Sequence, residues 1–292
     1  MTKISTEKEL LILCNRNRDG SFSTQAARRN VLSMAARQLV TLGFYNLPAR
    51  GLKQKHISAL LALWKESGCS DATLKNRMSH MRWWTEKIDK KNLIPRANSD
   101  LGIGRRRYVT NKNKAVSFGD DALLRIQDPR VQLSLELQRA FGLRREESIK
   151  FQATFAYSPG SAYIKLKASW CKGGRERTVP ITNEYQREIL NRVALFTGGG
   201  SLIPQRQQYK EQLKRYENET RKAGLHKLHG LRHAYAQARY VELAGWQPPV
   251  NGGPRHRQLT PEMKKKDHEI RLLISEELGH SREEITAVYL GR

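Results

Sequence analysis

Tyr289 follows His280 by nine residues in the closing run of a 292-residue chain, just after Leu278-Gly279. A tyrosine hydroxyl has an unperturbed pKa near 10, so only about one in 10³ is ionised at neutral pH. Nucleophilic chemistry at Tyr289 therefore needs a dense positive setting. Three other stretches offer one: Phe141-Gly142-Leu143-Arg144-Arg145-Glu146-Glu147, Cys171-Lys172-Gly173-Gly174-Arg175-Glu176-Arg177-Thr178-Val179-Pro180, and His229-Gly230-Leu231-Arg232-His233. This combination suits attack on a phosphodiester, where negative charge builds on the non-bridging oxygens. A planar, permanently charged guanidinium is the best fixed fork for those oxygens, and Arg144 and Arg232 are the obvious pair. His229 stands three residues before Arg232 near a helix start, so both share a face, and an imidazole beside a reacting phosphate can move protons. The departing oxygen must be protonated, which a lysine on a mobile hairpin can do; Lys172 is the candidate. Glu147 reads as orienting an arginine rather than as a base, and Cys171 as inert. Taken singly, each histidine is a structural residue and each arginine a surface cation; the grouping gives them another meaning.

The elements that must position these residues are mostly helices. Gly279 ends one helix, and Ser281 with Glu284 three residues later makes a capping box for the next, so His280 falls in the turn between them. After a short leader, Ser23-Thr24 caps a helix with Ala27, Val31, Ala35, Leu39 and Leu42 as its apolar stripe, stopped by Gly43; Arg28, Arg29 and Arg37 occupy its other faces. Ile57, Leu60, Leu61 and Trp64 define a second helix, and Leu74, Met78, Met81, Trp84 and Ile88, after a Ser70 cap, a third. Trp64, Met78, Met81 and Trp84 are core residues on this spacing. The three helices make a small basic bundle over about 20–92. A polar, basic stretch with Arg105-Arg106-Arg107 follows, suited to a solvated hinge or to a path along a DNA backbone. Gly119-Asp120-Asp121 and Asp128-Pro129 start further helices, the second ending at Phe141-Gly142. Residues 162–167 and 177–181 pair as a β-hairpin around the Lys172 turn, and helices over about 207–223 and 230–244 come next. The fold class expected is mainly α with a small β-sheet (α+β). The domains are 1–95 (helical, DNA-binding), 96–115 (basic linker) and 116–292 (catalytic).

Charge points to the partner. Lysine and arginine number 53 against 28 acidic residues, a net charge of +25 with a pI near 10.3. Residues 1–110 hold 21 basic and 8 acidic side chains, net +13, which leaves +12 for 111–292. Both halves are therefore built to face a polyanion, with double-stranded DNA the leading candidate. The three cysteines, Cys14, Cys69 and Cys171, show no metal or disulfide spacing, which fits a reduced cytoplasm. Residues 1–7 lack a signal-peptide apolar region, and no apolar run approaches a membrane span. Neither a phosphate-binding glycine loop nor a carboxylate cluster suited to Mg²⁺ occurs, so no cofactor and no metal is expected.

The four reactive stretches resemble, in order and in internal spacing, the boxes of the tyrosine recombinases, the lambda-integrase family. Gly142-Leu143-Arg144 with Glu147 is similar to its G-L-R-x-x-E box, Lys172 to Pro180 to its lysine hairpin, His229 to His233 to its H-x-L-R-H box, and Leu278-Gly279-His280 with Tyr289 to its L-G-H and tyrosine. The basic bundle resembles the family's core-binding domain, so the likeness covers almost the whole chain. The resemblance implies a catalytic set of Arg144, Lys172, His229, Arg232, His280 and Tyr289. In it the two arginines grip the phosphate, His229 assists proton transfer, His280 donates to a phosphate oxygen and Tyr289 forms a 3′-phosphotyrosyl link. It further implies strand exchange through a Holliday junction inside a homotetramer on a specific double-stranded recombination site; whether an accessory DNA-bending or directionality factor joins it is left open by the sequence. The reading is an integrase of a mobile genetic element, bacterial or phage-encoded. A chromosome or plasmid dimer resolvase, a type IB topoisomerase and a non-catalytic DNA-binding regulator are the competing readings.

Two features depart from compact members. An insertion at about 246–268 contains Trp246, Pro248-Pro249, Arg255-His256-Arg257 and Lys264-Lys265-Lys266, and its charge favours phosphate contacts over a merely solvated loop. Only Leu290, Gly291 and Arg292 follow Tyr289, so protomers are expected to couple through the insertion or another surface rather than through a donated C-terminal helix.

Overall fold

The computed structural model describes residues 5–106, 108–280 and 282–292. Ser281, Arg107 and residues 1–4 lie outside them, so the Ser281 cap and the third arginine of the basic triplet are not described. The chain divides into two compact units, Met1–Arg107 and Tyr108–Arg292, with the division inside the stretch read as a linker.

The first unit has four main helices: α1 (Thr6–Arg16), α2 (Phe22–Thr41), α3 (Gln54–Glu66) and α4 (Asp71–Lys87). Helix α1 is the one absent from the three-helix reading. Its apolar stripe is only Leu10 and Cys14, too narrow to stand out from a polar leader, but a Ser5 cap starts it and packing on α2 holds it. Helix α2 is capped by Ser21, and its buried stripe is Arg28, Leu32, Ala35, Ala36 and Leu39, rotated by about one residue from expectation. Ala27 and Leu42 consequently face solvent. Arg28, read as an outward cation, is instead buried 4.1 Å over the Trp83 ring, and its Nε finds no hydrogen-bond partner. The stripes of α3 and α4 are as the spacing requires. Their buried indoles are satisfied, Trp64 by Gln38 Oε1 at 2.8 Å and Trp84 by the Ala49 carbonyl at 3.0 Å. Leu101 and Ile103, within the expected linker, join this core, and Gly104 N donates to Asp71.

The second unit begins with α5 (Asp120–Leu124) and α6 (Pro129–Phe141), the latter started by the Asp128 cap with Pro129 at its first position. Helix α6 is buried almost all round because it lies between two apolar clusters. Leu133, Leu137 and Phe141 enter the larger one, Val131 and Leu135 the smaller. Two short helices follow, α7 (Arg145–Ile149) and α8 (Ala153–Ala156), and then the hairpin of β1 (Tyr163–Leu166) and β2 (Arg177–Pro180). The strands are antiparallel, with Ile164 opposite Val179, both fully buried. Next come α9 (Glu184–Thr197), which the sequence reading passed over, α10 (Tyr209–Lys222) and α11 (Gly230–Ala244). Helix α12 (Pro261–Glu277) is started by Thr260, and after the His280 turn a 3-10 turn leads into α13 (Ala287–Leu290). The helix expected after His280 is thus only four residues long. The architecture is mainly α with one two-stranded sheet. No helix among the described residues is long and apolar enough to cross a membrane.

Candidate active site

The site forms where the start of α11, the start of α7, the turn after α12 and the helix α13 converge. Gly230 makes the convergence tight: a Cβ there would meet Val116 Cγ2 at 2.4 Å and the Lys114 carbonyl at 2.6 Å. Residues 114–116 can therefore lie against the first turn of α11, with Val116 N donating to Gly230 O. His229 and Arg232 take fixed places as a result.

Arg232 is 1% exposed and donates from Nη1 to the Gly142 carbonyl, from Nη2 to the Leu278 carbonyl and from Nε to the Tyr289 hydroxyl at 3.4 Å. Burial pushes its pKa down to about 10, so it stays charged at neutral pH. Arg144, half-buried at the start of α7, donates from Nη2 to that same Leu278 carbonyl at 3.2 Å and from Nη1 to Glu147 at 2.8 Å. Two guanidiniums thus converge on one oxygen, the geometry a shared anion requires.

Glu147 organises them. It is fully buried, accepts two bonds from Arg177 at 2.8 and 2.9 Å and takes the Arg144 backbone N–H at 2.7 Å. Burial alone would raise its pKa, but the bonds from Arg177 and the charges of Arg177, Arg144 and Arg232 outweigh that and hold it at about 2. Arg177 also donates to the Glu277 carbonyl and to Cys171 Sγ, anchoring the base of the hairpin. Burial pushes the Cys171 thiol up, away from reactivity.

The Tyr289 hydroxyl lies between charge and base. His280 Nε2 is 3.3 Å away, and burial, with the charges of Arg232 and Arg144 next, pushes the pKa of His280 down to about 4. His280 is neutral at pH 7, so its imidazole can accept a proton. His233, equally pushed down to about 4, packs its ring 4.6 Å from that of Tyr289. His229, read as the proton-transfer partner, has its ring centroid 6.5 Å from that of Tyr289, close to the 6.1 Å of His280, but makes no hydrogen bond to the hydroxyl among the described residues.

Five of the six expected site residues are therefore brought together: Arg144, His229, Arg232, His280 and Tyr289. Lys172 is not. It stands exposed on the turn between β1 and β2 and enters no hydrogen bond or ion pair among the described residues. Arg177 and His233 belong to the cluster and had been given no role, although both lie inside the boxes that carried the resemblance. No group of three or more His, Cys, Asp or Glu arranged to hold a metal ion occurs among the described residues.

Comparison with known proteins agrees with this picture. A family model described as integrase matches residues 104–238, and one described as phage integrase, N-terminal, matches residues 1–94. His280 and Tyr289 lie beyond both. No curated protein matches the chain. The XerH site-specific recombinase bound to difH substrate is 16% identical, over 97% of this chain and 80% of that one, with a TM-score of 0.57. A lambda integrase dimer bound to a COC′ core site is 14% identical over 96% and 76%, with a TM-score of 0.61. The Tn1549 transposon integrase in complex with circular intermediate DNA is 14% identical over 99% and 96%, with a TM-score of 0.56.

Proposed function

The chain belongs to the tyrosine recombinase family of integrases, and from that premise we propose that it is the integrase of a mobile genetic element, cutting and rejoining double-stranded DNA with Tyr289 as nucleophile. The observation that carries the reading is the placement of the Tyr289 hydroxyl, 3.3 Å from a neutral His280 and 3.4 Å from the Arg232 guanidinium.

The chemistry then runs as follows. The phenolic oxygen attacks the scissile phosphorus as its proton passes to His280 Nε2, a bond forms from Tyr289 to the 3′-phosphate, and the bond to the 5′-oxygen breaks. Arg144 and Arg232 neutralise the charge developing on the non-bridging oxygens, with Glu147 fixing the Arg144 fork. Lys172, carried by the hairpin turn between Cys171 and Gly173, protonates the departing 5′-oxygen once DNA draws the turn inward. His229, beside Arg232 at the start of α11, contacts the same phosphate. The phosphotyrosyl link keeps the energy of the broken bond, so a partner 5′-hydroxyl can reseal it without ATP. Exchange of two pairs of strands in this way passes through a Holliday junction within four copies of the chain. A solved relative, a lambda integrase tetramer bound to a Holliday junction, supports that arrangement.

A nicked substrate from the ends of the encoding element tests the reading. Loss of the short fragment past the nick traps the adduct. The wild-type chain becomes covalently joined to a 3′ end, and Tyr289→Phe binds the DNA equally but forms no adduct. An adduct formed by Tyr289→Phe would remove Tyr289 from the nucleophile's role.

A further inference from the structure

Helix α13 carries Tyr289 yet has only four residues, far below the length at which a helix holds itself in water. Its carbonyls lie in the last turn, where none has an intrahelical partner by right. Its position is therefore set from outside, and the groups that set it come from three separate parts of the chain.

The Tyr289 carbonyl accepts from Gln237 Nε2 on α11 at 3.1 Å. Gln237 belongs to a closed ring of three side-chain amides. Its Nε2 also donates to Asn113 Oδ1 at 3.1 Å, Asn113 Nδ2 donates to Asn251 Oδ1 at 2.8 Å, and Asn251 Nδ2 donates to Gln237 Oε1 at 3.2 Å. Every amide gives and takes once within the ring, so all three are oriented without competition. The second hydrogen of Gln237 Nε2 then has one direction to point, toward α13. Asn113 lies ahead of α5, and Asn251 lies in the insertion. The insertion reaches further: Gly291, with φ +78°, sits against Val250, and a Cβ there would come within 2.9 Å of Val250 N. Buried Arg271, braced by Asp267 at 2.9 Å, donates to the Gly291 carbonyl at 3.1 Å. In this part the insertion packs on the end of the tyrosine helix through Val250, while Asn251 keeps an exposed side.

We propose that the Asn113–Gln237–Asn251 amide ring is the seat of the tyrosine helix, and that these three are positioning residues which hold Tyr289 of the same chain at His280 and Arg232. The inference rests on the nucleophile assigned above. Removing one hydrogen bond from such a seat forfeits alignment rather than folding, and a single net bond corresponds to about a 3- to 10-fold change.

The test uses the full chain and the nicked substrate under single turnover, with DNA affinity measured separately. Gln237→Leu removes every bond of that side chain, and Gln237→Glu keeps only the acceptor for Asn251. Both form adduct about 10-fold more slowly than wild type at unchanged affinity, and Asn251→Ala about 3-fold more slowly. Amide hydrogen exchange rises at residues 287–292 in all three variants and stays at the wild-type level elsewhere. Wild-type adduct rates, or exchange raised throughout the second unit, would overturn the proposal. A wild-type chain that forms no adduct would count against the nucleophile instead, and the exchange measurement would still judge the seat.

Discussion

His233 shows what packing does to a residue whose type alone says little. Its ring is 4% exposed against Tyr289, and burial, then His229, then Lys114 and Arg232 push its pKa down to about 4. His280 is pushed down equally. A histidine with a folded-state pKa below its unfolded value of about 6.5 binds its proton more readily when unfolded. Its contribution to stability is complete above pH 6.5 and is lost as pH falls toward 4. For buried His233 the loss is about 3 kcal/mol across that window, and for the less deeply buried His280 it is smaller. Glu147, with its pKa lowered from 4.5 to about 2, contributes stability that is complete above pH 4.5 and disappears below it, so the two effects occupy separate windows. Urea unfolding at pH 7, 6 and 5 checks this: His233→Gln loses less stability than wild type over that range. Equal slopes for the two proteins would refute it. At this scale the charged members of the site were legible because guanidinium, imidazole and phenol name their own chemistry. The distances between them were not: the imidazole in hydrogen-bond reach of the Tyr289 hydroxyl is that of His280, at 3.3 Å, rather than that of His229. Gln237 and Asn251 were silent, since an amide has no chemistry of its own and matters here only through partners 14 to 138 residues away.

Helices with clear apolar stripes were readable, α4 and α6 with their Ser70 and Asp128 caps and α3 and α11 by extent, while α10 was read only as a charged helix. Where the stripe was narrow or ambiguous, long-range packing decided. Helix α1 needs α2 to cover it, and α2 turns by about one residue so that Arg28 can lie on Trp83. Helix α13 is the extreme case, a single turn held by its neighbours. The start of α11 offers a test of an element by one atom. Glycine to alanine inside a helix normally stabilises it by about 1 kcal/mol, so propensity alone predicts that Gly230→Ala raises the melting temperature. The new methyl, however, would meet the Lys114 backbone carbonyl at 2.6 Å, which no side-chain rotation relieves. Overpacking of this kind costs about 1–3 kcal/mol and moves the backbone. Gly230→Ala therefore melts lower than wild type. By displacing His229 and Arg232 by about an ångström it forms adduct on the order of 10²-fold more slowly, with DNA affinity changed only a few-fold. A variant that melts higher and cleaves normally would show that residues 114–116 do not set the site.

Over the whole molecule, composition was informative about the partner and silent about which cations meet it. The net charge of +25 is shared almost evenly along the chain, +13 over residues 1–110 and +12 over 111–292. Some of those cations are already committed. Arg28 is buried, Arg177 and Arg144 serve Glu147, Arg271 serves Asp267 and the Gly291 carbonyl, and Lys266 caps the Ala244 carbonyl at 2.9 Å. Arg255 and Arg257, by contrast, stand exposed on the insertion beyond the seat of α13. An exposed cation that touches a phosphate releases a counterion on binding, and each such contact adds about 0.9 to the slope of log affinity against log salt. A duplex gripped through some 6–10 phosphates gives a slope between about −5 and −9, a loss of about 10³–10⁵ between 50 and 200 mM salt. A slope shallower than about −3 would mean that most of the charge never meets DNA. The same titration locates the insertion's share. If Arg255 and Arg257 each hold a phosphate, the double alanine variant flattens the slope by about 2, yet at saturating protein it forms adduct at the wild-type rate, because the amide ring and Val250 are untouched. An unchanged slope would assign the insertion to Tyr289 alone.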